Sequence, residues 1–409
     1  MLGRDVSPVE IADIFAAEWR LRKVFPPSPL LNMEFLNQQL GAQVWLKAEN
    51  LLPSGAYKYR GAMNKITSLI ERYGKELRIV TASSGNHGMA CALAARNLGV
   101  QANVVVPVST PQVKKDSIRA LGANLVEVGA TYDESFVSAC ELAEKEHLYY
   151  VHPTSDRYTV GGQGTISLEI LDQCPQVEQI VVPIGGGGLI GGIAFAVKQL
   201  KPDCRIVGVQ AAGAASMYLS RHAGGPTELR SVSTIADGIA VKKPGDLTFA
   251  LCQQYVDEVV TVSEDEIASA ILALMEGQKT VAEGAGAVPV AAVMFGKVDT
   301  SEKKTVCVVS GGNVDVTTLS RIITKGLSKA GRIAEISTKV ADKPGSLLQL
   351  LKVVADSGAN ILSINHARED QHSDVGACMV SMVLETRDAA HVEQIRRELT
   401  AMGYELEKE

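Results

Sequence analysis

The alternation of apolar and polar positions divides the chain into two regimes. In the first, short continuous apolar runs alternate with longer stretches of helical period. Residues 78–82, 102–108, 125–128, 148–151, 179–184, 205–210 and 306–309 read as strands. Residues 88–98, 111–122, 133–147, 164–171 and the stretch ending at Leu200 read as helices. Runs that are apolar on both faces and separated by helices predict buried parallel strands in an α/β fold. Ahead of them, residues 8–23 predict an amphipathic helix with Ile11, Ile14, Phe15 and Leu21 on one side. Residues 44–49 predict a strand that runs into a turn at Pro53. Ser263 followed by Glu264, Asp265 and Glu266 marks a helix start.

After Lys325 the pattern changes. Residues 326–332 form a small, basic junction, and the remainder reads strand 333–340, turn 342–345, helix 346–357, strands 359–366 and 375–385, helix 389–402 and strand 404–407. This βαββαβ order predicts a small ferredoxin-like module.

Composition changes this picture little. A chain of 409 residues exceeds one typical core, so two or three domains are expected. A net charge of −6 argues against a nucleic-acid partner. Seven scattered cysteines, none in a C-x-x-C pair, suggest reduced cytoplasmic thiols and neither a disulfide framework nor a metal site. Residues 180–197 carry no charge, but Pro183 and four glycines make a poor spanning helix, so no membrane is expected. Residues 1–10 lack an apolar signal core.

Four stretches carry candidate chemistry. In Pro53-Ser54-Gly55-Ala56-Tyr57-Lys58-Tyr59, a lysine between two aromatics opens a helical pattern through Met63, Ile66 and Leu69. The helix dipole and the exclusion of water both disfavour a cation there, which suits a Schiff-base lysine. Ser83-Ser84-Gly85-Asn86-His87-Gly88 joins a strand to a helix, where free amides and two hydroxyls suit a carboxylate. His87 in that stretch reads as a structural hydrogen-bonder. Gly185-Gly186-Gly187-Gly188-Leu189 follows a strand and opens a helix, so its amides can wrap a phosphate. No Gly-Lys-Ser follows, and the dinucleotide pattern fails downstream. Ser310-Gly311-Gly312-Asn313 ends a strand at the edge where open α/β sheets place ligands. Taken singly, these are also a surface lysine, a capped turn and two flexible loops.

Together and in this order, the four stretches resemble the pyridoxal-phosphate enzymes of the tryptophan-synthase-β fold, nearest the threonine/serine dehydratase and serine racemase group. The likeness covers about residues 25–325. Residues 340–347 and 358–361 resemble an ACT domain, a regulatory amino-acid-binding module, and the combination resembles threonine ammonia-lyases with one such domain. The resemblance implies a large domain from 1–50 and 152–325, a small α/β domain from 51–151 and an ACT domain from 333–409. It implies that Lys58 holds pyridoxal phosphate as a Schiff base and later takes the Cα proton, with Tyr57 against the ring. Asn86 would meet the ring's 3'-oxygen, Gly185 to Gly188 and Leu189 the phosphate, and Ser310 the ring nitrogen. Ser83, Ser84, Gly85, Asn86 and His87 would hold the substrate carboxylate. L-Threonine, and L-serine with it, would lose water and then ammonia to give a 2-oxo acid.

Two details pull toward neighbouring activities. Ser84 stands where threonine dehydratases usually have alanine; a serine there resembles racemases and 3-hydroxyaspartate dehydratases, and the resemblance makes it a second catalytic candidate, able to reprotonate Cα from the face opposite Lys58. Racemases of the group hold a metal through acidic residues just after residues 205–209, where this chain has Gln210, Ala214 and Ser216. Carboxylate ligands are therefore missing and no hard cation is expected. Glu283 matches an acidic position of the group and has no assigned role. A catalytically silent amino-acid sensor is the non-enzymatic alternative. An effector amino acid at Asp342, Gly345, Ser346 and Asn360, and a homodimer or homotetramer paired through the ACT domains, complete what the resemblance implies.

Overall fold

The chain divides into two compact units, Met1–Val314 and Asp315–Glu409. The structure, a computed structural model, describes residues 3–368 and 376–407. The first unit carries ten strands: β1 (Leu30–Asn32), β2 (Gln43–Ala48), β3 (Arg78–Ala82), β4 (Gln101–Val106), β5 (Asn124–Glu127), β6 (Tyr149–Tyr150), β7 (Gln179–Pro183), β8 (Arg205–Ala211), β9 (Glu258–Val262) and β10 (Lys304–Val309). They form a six-stranded sheet in the order β1-β2-β10-β7-β8-β9 and a four-stranded sheet in the order β5-β4-β3-β6. All pairings are parallel except β1 on β2. Parallel strands need crossovers, and the helices that supply them cover both faces. Hence the five residues of β7 are all buried.

The expected α/β architecture is present, with differences that have physical causes. The helix Arg157–Gln173 begins seven residues before the expected 164, because Asp156 caps it by accepting from the amides of Tyr158 and Thr159. Its glycines, which obscure a helical pattern in sequence, let neighbouring backbones close in. A Cβ on Gly162 would lie 2.7 Å from the carbonyl oxygen of Arg60, and one on Gly164 3.0 Å from that of Gly192. Helix Gly284–Met294 is buried all round and contains Pro289, so it shows no amphipathic period. The edge strands β1 and β9 are likewise absent from the sequence pattern. Phe15, expected on the buried side of the first helix (Ile11–Leu21), is 47% exposed, while Ile14 and Leu21 are buried.

Under the start of helix Lys58–Tyr73 lies a buried ionic cluster. Arg60 Nε meets Glu49 at 2.7 Å, Arg60 Nη1 meets Glu169 at 2.7 Å, and Lys47 Nζ reaches Glu169 at 2.6 Å. The cluster joins β2, the lysine helix and helix Arg157–Gln173 through charge-assisted bonds.

The second unit opens with helix Val316–Lys329, which runs through the start of the junction expected at 326–332. Three further strands, β11 (Ile333–Ala341), β12 (Asn360–Ala367) and β13 (Ala377–Glu385), form an antiparallel sheet in the order β11-β13-β12. Helices Ser346–Asp356 and Ala389–Ala401 bury Leu350, Val354, Ile395 and Leu399 in one core with Ile336, Val340 and Met382. The expected last strand at 404–407 is reduced to a single bridge between Leu406 and Thr338. The expected start of a strand at Val375 lies outside the described residues. No helix among the described residues is long and apolar enough to cross a membrane.

Candidate active site

Lys58 is the first residue of its helix, and the preceding residue, Tyr57, keeps a helical backbone. The lysine Nζ donates to the carbonyl of Pro153 at 2.9 Å and lies 5.1 Å from the centre of the Tyr57 ring. The turn before it is pinned by the segment after β10. Tyr57 donates its amide to the Ser310 carbonyl at 2.9 Å, Gly312 donates to the Gly55 carbonyl at 2.9 Å, and Ala56 bridges Gly311. Two stretches more than 250 residues apart thus form one ladder, and buried Ser310 is set beside the lysine turn.

Asn313 extends this ladder. Its Nδ2 donates to the Ser54 carbonyl at 2.8 Å and to Asn86 Oδ1 at 2.9 Å. Asn86 opens the helix Asn86–Leu98 and donates its own amide to both carboxylate oxygens of Glu283, at 2.7 and 3.0 Å. Its fixed orientation therefore depends on Asn313 on one side and Glu283 on the other. Ser83, Ser84 and Gly85 form the half-buried turn between β3 and this helix. The Gly85 amide is turned onto Ser83 Oγ at 3.2 Å. The first-turn amides beyond it have no side-chain cap, which suits a carboxylate.

The glycine run follows β7 at the carboxyl edge of the six-stranded sheet and leads into helix Gly188–Leu200. Gly187 has φ +85°, a conformation that favours glycine. Each Cβ in the run would close the cradle: on Gly185 it would meet Ile239 Cα at 2.9 Å, on Gly186 the Thr154 methyl at 3.0 Å, and on Gly188 Thr154 Cα at 3.0 Å. Thr248 Oγ1 donates to the Gly186 carbonyl at 2.6 Å. Leu189 packs its side chain into the core, so only its backbone faces the cradle end.

The loop 152–154 connects lysine and cup, since Pro153 receives the amine and Thr154 walls the glycines. His152 builds that loop by accepting from the amides of Thr154 and Ser155 at 3.1 and 2.9 Å. Burial, then the nearby Arg4, His87 and Lys58, push His152 down to about 3, so its Nδ1 stays an acceptor. His87 is likewise neutral: burial and the Lys58 charge bring it to about 3, and its Nε2 lies 3.0 Å from the Val151 carbonyl. It supports the loop through this contact. His152 was missed in the sequence, and Asn313, the last residue of a candidate stretch, was given no role there.

Glu283 gains a position from the fold. It caps helix Gly284–Met294, lies beside Gly311 and is 4% exposed. Burial pushes its carboxyl up to about 7, against the lowering pull of the Asn86 amide. A raised folded pKa gives stability that is full below the unfolded value and lost as pH rises through the folded one. In the cofactor-free protein, unfolding free energy should therefore fall by up to about 1.4 kcal/mol per pH unit between roughly pH 4.5 and 7. Glu283→Gln should flatten that slope, as urea unfolding across this pH range would show; an unchanged slope would remove the assignment.

At the position where the resemblance to racemases leads one to expect an acid, Gln210 is fully buried and donates to the carbonyls of Ile184 and Ala214 at 3.2 Å each. A carboxylate offers no such donors. In the second unit, Gly345 (φ +90°) caps helix Ser346–Asp356, and Asp342 lies in the turn before it. Asn360 does not join them. It pairs with Glu385 at the end of the sheet where β11 begins, whereas Asp342 follows the end of β11. Within one chain the two are therefore separated by the length of a strand.

A primary amine tied to a glycine anion cup at the carboxyl edge of parallel strands defines an enzyme site for a phosphorylated aldehyde cofactor. The comparisons agree. Residues 21–312 match the family of pyridoxal-phosphate dependent enzymes, and residues 334–401 match the ACT domain family. The chain belongs to the pyridoxal-phosphate dependent enzyme family and ends in an ACT domain. It is 46% identical over 398 residues to an L-threonine ammonia-lyase of Thermotoga maritima, covering 97% of this chain and 99% of that one. An L-threonine ammonia-lyase of Geobacter sulfurreducens is 42% identical, covering 95% and 96%. The processed form of threonine deaminase isoform 2 from Solanum lycopersicum superposes with a TM-score of 0.72 at 37% identity, covering 78% of this chain and 90% of that one. Maize serine racemase superposes with a TM-score of 0.73 at 34% identity, covering 78% and 98%.

Proposed function

We infer that the chain is a pyridoxal-phosphate-dependent threonine ammonia-lyase that converts L-threonine to 2-oxobutanoate and ammonia, with L-serine as a second substrate. The observation that carries the reading is the loop 152–154, which receives the Lys58 amine and walls the glycine cup. The residues fit the cofactor: Gly185 to Gly188 and the amide of Leu189 would hold its phosphate, and Lys58 its aldehyde. Tyr57, Asn86 and Ser310 would hold its ring. When bound, the cofactor withdraws electrons from the substrate's Cα, which makes the Cα proton removable and the β-hydroxyl a leaving group.

The chain's own residues do the rest. Lys58 Nζ, held at the Pro153 carbonyl, would be the group placed to take the Cα proton. Ser83, Ser84 and the first-turn amides of Asn86 and His87 orient the substrate carboxylate, with Gly85 shaping the turn. Ser310 offers a hydroxyl, which would leave a ring nitrogen neutral where a carboxylate would keep it protonated. Gln210, donating to two carbonyls in place of a metal-binding acid, disfavours the racemase alternative.

Residues 51–151 serve as the small domain against 1–50 and the residues from 152 onward. The ACT domain regulates turnover by binding an amino acid near Asp342, Gly345 and Ser346, with Asn360 supplied by a partner copy in a homodimer or homotetramer. The exposed edge strand β12 gives a physical reason to pair. We place the enzyme in the cytoplasm. Incubation of the holoenzyme with L-threonine and L-serine should release ammonia and 2-oxo acid far faster than D-amino acid. Predominant formation of D-serine would overturn this reading in favour of a racemase, and no turnover of either would favour a sensor.

A further inference from the structure

We propose that Asp342, His366 and Cys378 form a binding site for a divalent transition-metal ion of the zinc, cobalt and nickel type. No cysteine lies in a metal-binding spacing along the chain, yet the sheet brings three unlike donors together. His366 Nε2 lies 2.8 Å from Cys378 Sγ, and these two atoms and a carboxylate oxygen of Asp342 all lie within 4.8 Å of one another. It is the only such group of three among the described residues.

Strand register makes the cluster. His366 on β12 pairs with Val380, two residues along β13 from Cys378, so the imidazole and thiol sit diagonally on one face. Cys378 pairs directly with Val340 on β11, and Asp342 follows two residues later, its amide still bonded to the Gly376 carbonyl at 2.9 Å. The donors therefore stand on or just beyond three adjacent strands of one sheet, which suits a preformed site.

Donor chemistry selects the ion. A thiolate and an imidazole with one carboxylate favour zinc-type metals over magnesium or calcium, which demand oxygen. Bonds of about 2.0–2.3 Å in a tetrahedron separate ligand atoms by roughly 3.5 Å, within the range the three atoms span. Three protein ligands leave the fourth position for water. Cys378 Sγ now donates to the Val340 carbonyl at 3.3 Å; on binding, the S–H bond breaks, its proton goes to solvent and the sulfur bonds the metal. The thiolate and the carboxylate together neutralise the two positive charges. Arg368 holds Asp342 Oδ1 at 3.2 Å, and a carboxylate has a second oxygen with which to accept.

The site is independent of the lyase reading and shares only Asp342 with the proposed effector region. Cobalt(II) chloride titrated into chelator-treated, full-length holoenzyme is the test. One equivalent per chain should bind, with a near-ultraviolet thiolate-to-cobalt band and visible bands beyond the cofactor's absorption. Zinc should displace it and magnesium should not. His366→Gln, on an exposed strand, should weaken binding by more than the roughly 10–100-fold typical of losing a supporting partner. Cys378→Ser should abolish the charge-transfer band, and both variants should keep metal-free L-threonine turnover. Absence of stoichiometric binding, or an identical spectrum and affinity in His366→Gln, would overturn the proposal.

Discussion

Lys58→Ala is expected to lower L-threonine turnover by at least about 10⁴-fold, because one amine both anchors the cofactor and moves the Cα proton. The glycine cup is untouched by the substitution. Pyridoxal phosphate should therefore still bind, more weakly and without a covalent link. Loss of turnover together with residual cofactor binding separates a catalytic lysine from one that merely supports the fold. A variant that keeps more than a tenth of wild-type 2-oxobutanoate formation would contradict the role.

The second large effect lies two residues further along the same helix. Arg60 has a fully buried side chain that joins Glu49 and Glu169, while Lys47 shares Glu169. Removing one partner of such a cluster strands buried charge, so Arg60→Met should destabilise the first unit by about 3–5 kcal/mol. Trp19 and Trp45 both belong to this unit, so tryptophan fluorescence during urea unfolding of the cofactor-free protein reads it directly. Burial opposes the Glu169 carboxylate, but the Arg60 and Lys47 charges overcome it and hold its pKa below the usual range. A depressed folded pKa contributes stability above the unfolded value and loses it as pH falls through the folded one. The gap between wild type and Arg60→Met should therefore hold from pH 7 down to the ordinary carboxylate value of 4.5 and shrink below it, toward about pH 3. An equal loss at both ends of this range would point to packing alone.

Much of this was legible in the chain because the site is built from short, local stretches. The lysine turn, the Ser83–Gly88 turn, the glycine run and Ser310–Asn313 each join one strand to one helix, where spacing along the chain carries meaning. What escaped was set by contacts between distant segments. Asn313 looks like an ordinary turn residue until the fold places it between Ser54 and Asn86. His152 holds its loop through a ring nitrogen accepting backbone amides, which no motif announces. Helix Gly284–Met294 is apolar on every side, and periodicity vanishes where no face meets water. The Asp342–His366–Cys378 group depends on strand register, which spacing rules for cysteine do not see.

The account rests on Lys58 carrying the cofactor. Reducing the freshly purified, yellow holoenzyme with borohydride and mapping its peptides by mass spectrometry tests this directly. The predicted result is a single phosphopyridoxyl group on Lys58, with the visible absorption lost in step. A reduced adduct on any other lysine, or an enzyme that stays colourless with pyridoxal phosphate in excess, would contradict it.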